Sequence, residues 1–447
     1  MILPNIPPAV YDARPLLKDV RTEAHRRATA ADAVLWAFLV MAAAEVPAFV
    51  SVETGIGAPV RPTLYAVLAG ASGTGKSAAW STARALFGGR LEPFPLSTGE
   101  GVVEAFYGRV QREQPQGEGK PPKLAWVRER TRSNALFWLD EGETLFRNME
   151  KSGNTTGTVL RAFWSGGTVG QKNATEGLDR VLDAGTYTGG LVIGLQPDIS
   201  GALLADTSTG TAQRFVWASS TDVHAQEAPA PPLGFTTPVP TTPLARPWPP
   251  GVTLPGTLEQ WATGETDAPE PVSMTVAPDI SAELRAHRQG ILTGRVEPDE
   301  HDTQRPAMRV KAAGVLAWLD GRMNVSAEDW ELAAELLSAS DRVRDALLEH
   351  AAATDDEQVA TEGARRAQLR HAESVTEVVK LKERCGERVM ALVEQSGPIS
   401  ASALRKRLSK PQRPFLADLL AFCTEKGIFT VTERDYNGQP GSYYVKA

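Results

Sequence analysis

The sequence predicts an α/β protein built around a mainly parallel sheet, and three observations carry that expectation. Residues 61–225 alternate short apolar runs with helix-compatible stretches, the pattern of parallel strands joined by helical crossovers. The first apolar run, Leu64 to Ala69, leads into Gly70-Ala71-Ser72-Gly73-Thr74-Gly75-Lys76-Ser77 and then into a helix-compatible stretch, Ala78 to Phe87. A later run, Ala135-Leu136-Phe137-Trp138-Leu139, ends on two acids, Asp140-Glu141.

The glycine-rich segment matches G-x-x-x-x-G-K-[ST], the phosphate-binding loop of nucleoside-triphosphate enzymes. Its glycines let backbone N–H groups turn toward phosphates, and the start of the next helix adds a favourable field. Gly70, Ala71, Ser72, Gly73, Thr74 and Gly75 form the cradle; Lys76 can reach the β- and γ-phosphates, and Ser77 can ligate Mg²⁺. The expected cofactors are therefore ATP and Mg²⁺. A buried strand that delivers two acids at its C-terminal edge puts them where open α/β sheets bind their ligands. Asp140 then holds Mg²⁺, and Glu141 orients and deprotonates the attacking water.

Further on, Gly189 to Leu195 reads as another apolar strand, ending at Gln196-Pro197. Gln196 can sense the γ-phosphate from that strand end or simply cap the strand; the residues leave both open. Gln213-Arg214 opens the last core strand, Phe215 to Ser219. Arg214, beside a Ser/Thr/Gly loop at Thr207 to Thr211, can project onto a neighbouring subunit as an arginine finger. A structural salt bridge at the strand edge is the alternative. Between Gly142 and Thr188 the chain carries scattered cations, of which Lys172 is the chosen candidate for a nucleic-acid contact.

Composition bounds the rest. Hydrophobic residues make up 42% and charged residues 23%, as in chains that bury sizeable cores. The net charge of −7 excludes a globally basic protein, so any nucleic-acid contact must be local. Two cysteines, Cys385 and Cys423, make neither a disulfide framework nor a zinc cluster, which fits a reducing, cytoplasmic setting. The apolar stretch Ala33 to Ala44 is too short to span a bilayer, and no membrane partner is expected.

Five segments follow. Residues 1–60 are expected to be helical and to brace the core, and 61–225 form the nucleotide-binding core. Residues 226–277 are a proline-rich linker, with Trp248 and Trp261 as anchors on the core surface. Residues 278–384 form a helical lid of three helices, the third ending at Leu348, and a charged connector from 355 to 384. Residues 385–447 read as a winged helix. Its helices are expected at Glu387 to Glu394, Ser400 to Leu408 and Gln412 to Lys426, and its hairpin around Asn437-Gly438-Gln439-Pro440-Gly441. Arg405, Lys406, Arg407, Lys410 and Arg413 cluster there in a way that suits DNA phosphates. Winged helices also dock proteins.

The order of Gly70–Ser77, Asp140-Glu141, Trp164-Ser165-Gly166, Gln196-Pro197 and Arg214-Phe215 resembles a family of P-loop ATPases from phages and plasmids. Members of that family occur in replication modules, sometimes fused to primase domains, and are inferred to be replicative helicases. The Arg214-Phe215 pair and the downstream helices also resemble the minichromosome-maintenance branch of AAA+ helicases. Gln196 stands where AAA+ proteins usually have Asn, so an AAA+ core and a RecA-type core both remain open. The resemblance implies an ASCE-class, AAA+-like P-loop core with a helical lid. It implies Arg309, or less readily Arg305, as a second phosphate-sensing arginine, with an ordinary surface arginine as the alternative. It further implies a hexameric ring with single-stranded DNA in its channel, duplex DNA at the winged helix, and a primase or loader as partner. The rival expectation is an ATP-switched DNA-binding initiator without unwinding activity.

Overall fold

The computed structural model describes residues 1–88, 91–114, 123–149, 153–171, 180–204, 210–227, 270–297, 299, 302–436 and 439–447. It divides into two compact units, Met1–Thr354 and Asp355–Ala447. The first unit is mixed α/β around a five-stranded parallel sheet. Its strands are β2 (Leu64–Ala69), β3 (Pro93–Phe94), β6 (Asn134–Leu139), β9 (Thr188–Leu195) and β10 (Phe215–Ser219), in the order β10-β2-β9-β6-β3. Strands covered on both faces need continuous apolar runs rather than alternation. All six residues of β2 and all eight of β9 are accordingly buried.

Two helical layers cover the sheet. Successive strand residues point to opposite faces, and β9 uses that at Gly189 and Gly190. A Cβ on Gly190 would lie 2.5 Å from Val40 of helix α3 (Ala31–Glu45), and one on Gly189 would lie 2.5 Å from Phe163 of helix α7 (Thr156–Ser165). The two glycines let both layers approach the sheet closely. Every residue of α3 is buried, so this N-terminal helix is one wall of the core rather than an outlying brace. Before it come the short helices α1 (Pro8–Asp12) and α2 (Pro15–Arg26). Helix α4 (Lys76–Phe87) follows β2, and Trp80 on α4 stacks on Trp138 of β6 at 4.6 Å between ring centres. Such a pair adds about 1 kcal/mol beyond area burial and ties the helix after the loop to the strand that carries the acids.

Three expectations are corrected. Residues 1–60 are not all helical: β1 (Val50–Glu53) pairs in parallel with β11 (Val272–Val276), and β11 with β12 (Asn324–Val325). The last residues of the expected linker are thus the central strand of a small side sheet, with Met274 fully buried. The rest of the proline-rich stretch, 228–269 with Trp248 and Trp261, lies outside the described residues. An antiparallel hairpin, β4 (Tyr107–Gln114) and β5 (Lys123–Arg130), follows helix α5 (Gly99–Glu104); helix α6 (Glu143–Met149) and the antiparallel pair β7 (Val169–Gln171) and β8 (Arg180–Leu182) come before β9. The third lid helix does not stop at Leu348. The helix that starts at Ala327 runs to Ser396, and the boundary between the two units falls within it. The other two lid helices are Pro278–Leu292 and Arg305–Leu319.

The second unit has its own core of Cys385, Val389, Leu392, Ile399, Leu404, Leu416, Leu420 and Phe429. Ser400 accepts from the Ala403 N–H and caps the helix Ala401–Arg407. The third helix starts at Leu416 rather than at Gln412, after a 3₁₀ turn at Arg413–Phe415. Strands β13 (Ile399–Ser400), β14 (Phe429–Tyr436) and β15 (Gln439–Lys446) form an antiparallel sheet. Tyr436 pairs with Gln439, so the connection is shorter than the expected Asn437–Gly441 loop.

Candidate nucleotide site

The loop Gly70–Gly75 leaves the end of β2 and turns into α4. Gly73 and Gly75 have φ of 81° and 86°, a left-handed conformation open to glycine at little cost. Gly75 is the N-cap of α4, so Lys76 and Ser77 occupy its first turn, at the positive end of the helix. The loop is tied to its neighbouring strands. The Gly70 N–H donates to the Leu195 carbonyl at the end of β9, and Thr74 Oγ1 lies 2.6 Å from Ser220 Oγ just past β10.

Asp140 and Glu141 follow β6 directly, and the Gly142 N–H donates to the Gly194 carbonyl of β9. One strand, β9, therefore separates the loop strand from the acid strand. Gln196 sits at its end, between them. The three strand ends meet in one cleft of about 480 Å³. It is lined by the loop residues Ser72, Gly73, Gly75, Lys76 and Ser77, by Asp140 and Glu141, and by Gln196. Ser77 Oγ donates to Asp140 Oδ1 at 2.5 Å, and Lys76 Nζ donates to the Gly70 and Ala71 carbonyls at 2.7 and 2.9 Å. Burial lowers the Lys76 pKa, and the two acids pull it back up. The ammonium thus lies against the loop's own carbonyls, within the field of both carboxylates.

These residues fit a magnesium-bound triphosphate. A hard dication takes oxygen ligands, and the bonded Ser77 and Asp140 oxygens offer two on the same spot. Among the described residues no group of three His, Cys, Asp or Glu side chains could hold a metal alone, and a cation held by Ser77 and Asp140 would take its other oxygens from phosphates and water.

The structure does not bring Arg214 to this cleft. It closes the 3₁₀ turn Ala212–Arg214, where β10 begins, whereas the cleft lies where the strands end. Five residues of strand, roughly 17 Å, intervene. The Arg214 guanidinium lies 5.3 Å from the Trp164 ring centre and donates to the Gly210 carbonyl. No strand-edge salt bridge holds it among the described residues. Arg309 is not at the cleft either. Its donors go to the Trp330 carbonyl, Glu283 and Glu331, and its guanidinium stacks 3.9 Å from the Trp330 ring centre. Arg305 pairs with Asp341. Neither Arg309 nor Arg305, the arginines expected to sense phosphate, is among the residues that line this cleft.

Lys172 lies outside the described residues. Arg405, Lys406, Arg407, Lys410 and Arg413 are all exposed, on the helix Ala401–Arg407 and the turns that follow it. The third helix, Leu416–Glu425, carries Asp418 and Glu425 and no cation. Ser220 is the cleft neighbour that sequence reasoning missed, and only its place after an apolar strand could have flagged it. No family model matches the sequence, and no curated protein matches it. Among the described residues no helix is long and apolar enough to cross a membrane.

Proposed function

We propose that this chain is an ATP-hydrolysing DNA motor that works as a ring of identical P-loop subunits, with a winged helix at its C-terminal end. The observation that carries the reading is the single cleft that joins the Gly70–Ser77 loop, Asp140, Glu141 and Gln196. Bound Mg²⁺-ATP would supply the electrophilic phosphorus and the cation that offsets its charge. The chain supplies the rest. The loop N–H groups and Lys76 hold the phosphates, with the ammonium leaving the Gly70 and Ala71 carbonyls to do so. Ser77 and Asp140 hold the cation. Glu141 orients the attacking water and takes its proton, and the Gln196 amide steadies that water from the middle strand. An acid beside the metal-holding one favours hydrolysis over transfer to a small molecule, because water is then the group to be activated.

Two features support DNA as the track. On the β4–β5 hairpin, Leu124 and Trp126 are 59% and 65% exposed, and alternation puts them on one face with Arg128 and its cross-strand partner Arg109. Aromatic faces beside cations suit single strands. The exposed cations of the second unit suit duplex phosphates. They lie off the third helix, which points to backbone contact rather than base reading.

The test separates binding from chemistry. Lys76→Ala should lose nucleotide binding in a fluorescent-ATP titration. Glu141→Gln should bind as wild type and lose roughly 10²- to 10⁴-fold in turnover. Single-stranded DNA should raise wild-type turnover and a forked duplex should be opened. Wild-type turnover by Glu141→Gln would remove the base assignment. Turnover indifferent to DNA, without strand opening, would favour an ATP-switched initiator.

A further inference from the structure

Around Trp164 the fold gathers three basic side chains, and none of their partners among the described residues is a carboxylate. Lys311 is buried, its ammonium 4.0 Å from the Trp164 ring centre and donating to the Arg61 and Trp164 carbonyls at 2.6 and 2.7 Å. Arg214 stacks on the same ring. Arg161, on α7, donates to Thr211 Oγ1 at 2.8 Å and to Thr158 Oγ1 at 3.1 Å. Because Arg214 holds the Gly210 carbonyl and Arg161 the next residue's hydroxyl, the two guanidiniums sit side by side over one turn.

Among the described residues none of the three is paired with a carboxylate. In the same unit Arg305 meets Asp341, Arg309 meets Glu283 and Arg344 meets Asp302, whereas Arg61 donates to the Ala48 and Val50 carbonyls. The Arg214 Nε is buried without a partner. Burial lowers the Arg214 pKa, and Arg161 lowers it further. Lys311 is held by two carbonyls and a ring, and burial pushes its pKa well down. The guanidiniums keep unused donors, and their charges repel each other. That arrangement is costly until an anion arrives.

We propose that Arg161 and Arg214 together form an oxyanion site for the terminal phosphate of a nucleotide bound to a second copy of this chain. The inference rests on the hydrolytic reading above and adds Arg161 to it. Two guanidiniums side by side can each present a fork to phosphate oxygens, which a lone ammonium cannot. A terminal phosphate carries more charge than a phosphodiester and so matches two adjacent guanidiniums better. The phosphate must come from another copy, because the chain's own cleft lies at the far end of β10.

The test uses full-length chains and the mixing of inactive partners. Arg161→Ala should keep its melting temperature within a few degrees, bind fluorescent ATP as wild type, and lose roughly 10- to 100-fold in kcat with KM little changed. Arg161→Lys, which keeps charge but not the fork, should fall between. Mixing Arg161→Ala with Lys76→Ala should restore turnover, since one subunit's intact loop then faces the other's intact pair. The same mixture made with Arg214→Ala is the control for the shared-site reading. If the Arg214 mixture regains activity and the Arg161 mixture does not, although heteromers form, the shared site stands and the Arg161 assignment falls. If neither does, the shared-site reading itself falls. If Arg161→Ala weakens single-stranded DNA binding while turnover without DNA stays at wild type, the pair serves a nucleic-acid phosphate and the proposal is overturned.

Discussion

Arg14 and Arg214 belong to the same folded unit, and their guanidiniums end in opposite circumstances. Arg14 is drawn in between α1 and α2, with a side chain 7% exposed, and meets three carboxylates: Asp329 at 2.6 Å, and Asp320 and Glu328 at 3.1 Å. Arg214 is half-buried, yet it meets a carbonyl and a tryptophan face, with Arg161 and Lys311 as its basic neighbours. A buried charge must be paired or it destabilises the fold. The paired arginine therefore belongs to the fold, and in the function proposed above the other serves a second copy of the chain. Exchanging the two residues' consequences is the way to break this comparison.

The largest effect should come from Arg214→Ala. Losing a trans-acting arginine of this kind costs about 10³-fold or more in turnover. Stability should fall only modestly, because the side chain gives up one carbonyl bond and its stack on Trp164 while relieving a repulsion with Arg161. ATP binding should persist. A variant that hydrolyses ATP normally but unfolds several degrees early would make Arg214 a structural residue like Arg14.

Arg14→Ala should do the reverse. It strips one partner from a network in which Asp329 is fully buried, a kind of loss that costs about 3–5 kcal/mol. Arg322 still contacts Asp329 at 2.7 Å and keeps the expectation at the lower end. Chemical denaturation should show the loss, while turnover per folded molecule stays near wild type. A fall in kcat without loss of stability would mean that the network reports to the site.

Much of the frame within which these arginines sit was readable in advance. Each sheet strand except β3 is a continuous apolar run, because a sheet covered on both faces leaves no polar side to alternate with. The loop and the acids were readable because each is a local pattern at a strand end. What stayed hidden depends on pairing over long distances. Val50–Glu53 reads as a tail of a helical segment until Val272–Val276 lies beside it. The alternation of Val272, Met274 and Val276 was masked by the prolines before it. The helix from Ala327 to Ser396 crosses a stretch so uniformly charged that no apolar periodicity marks it as continuous. Along the chain Arg161 is only one of several scattered cations. Its significance comes from α7 lying beside the turn before β10, which no spacing along the chain encodes.

The smallest effect separates two buried carboxylates in the manner of the two arginines. Asp32 accepts from Asn5, Tyr11 and the Ile6 N–H, all neutral donors. Burial pushes its pKa up from 3.8 to about 6, and those three donors only partly oppose the rise. Asp329 is buried as well, which alone would raise it. Arg322, Ser326 and Arg14 instead hold it down to about 2. The two groups therefore act with opposite signs. The folded chain binds the Asp32 proton more tightly than the unfolded chain does, so the contribution of Asp32 is full below pH 3.8 and is lost as the pH rises to about 6. The contribution of Asp329 is full above pH 3.8 and is lost as the pH falls toward 2. Asp341, also raised to about 6 by burial, acts in the same sense as Asp32. Replacing Asp32 with Asn should thus remove part of the stability lost between pH 4 and 6, on the order of 3 kcal/mol at most. An Asn oxygen can still accept from Asn5 and the Ile6 N–H, and the Tyr11 hydroxyl can turn to accept from the new amide. Denaturant midpoints at pH 4, 5, 6 and 7 check this. Wild type should lose stability relative to Asp32→Asn across that range. Parallel curves would mean that Asp32 is ionised throughout, compensated by a charge that the neutral donors around it do not supply.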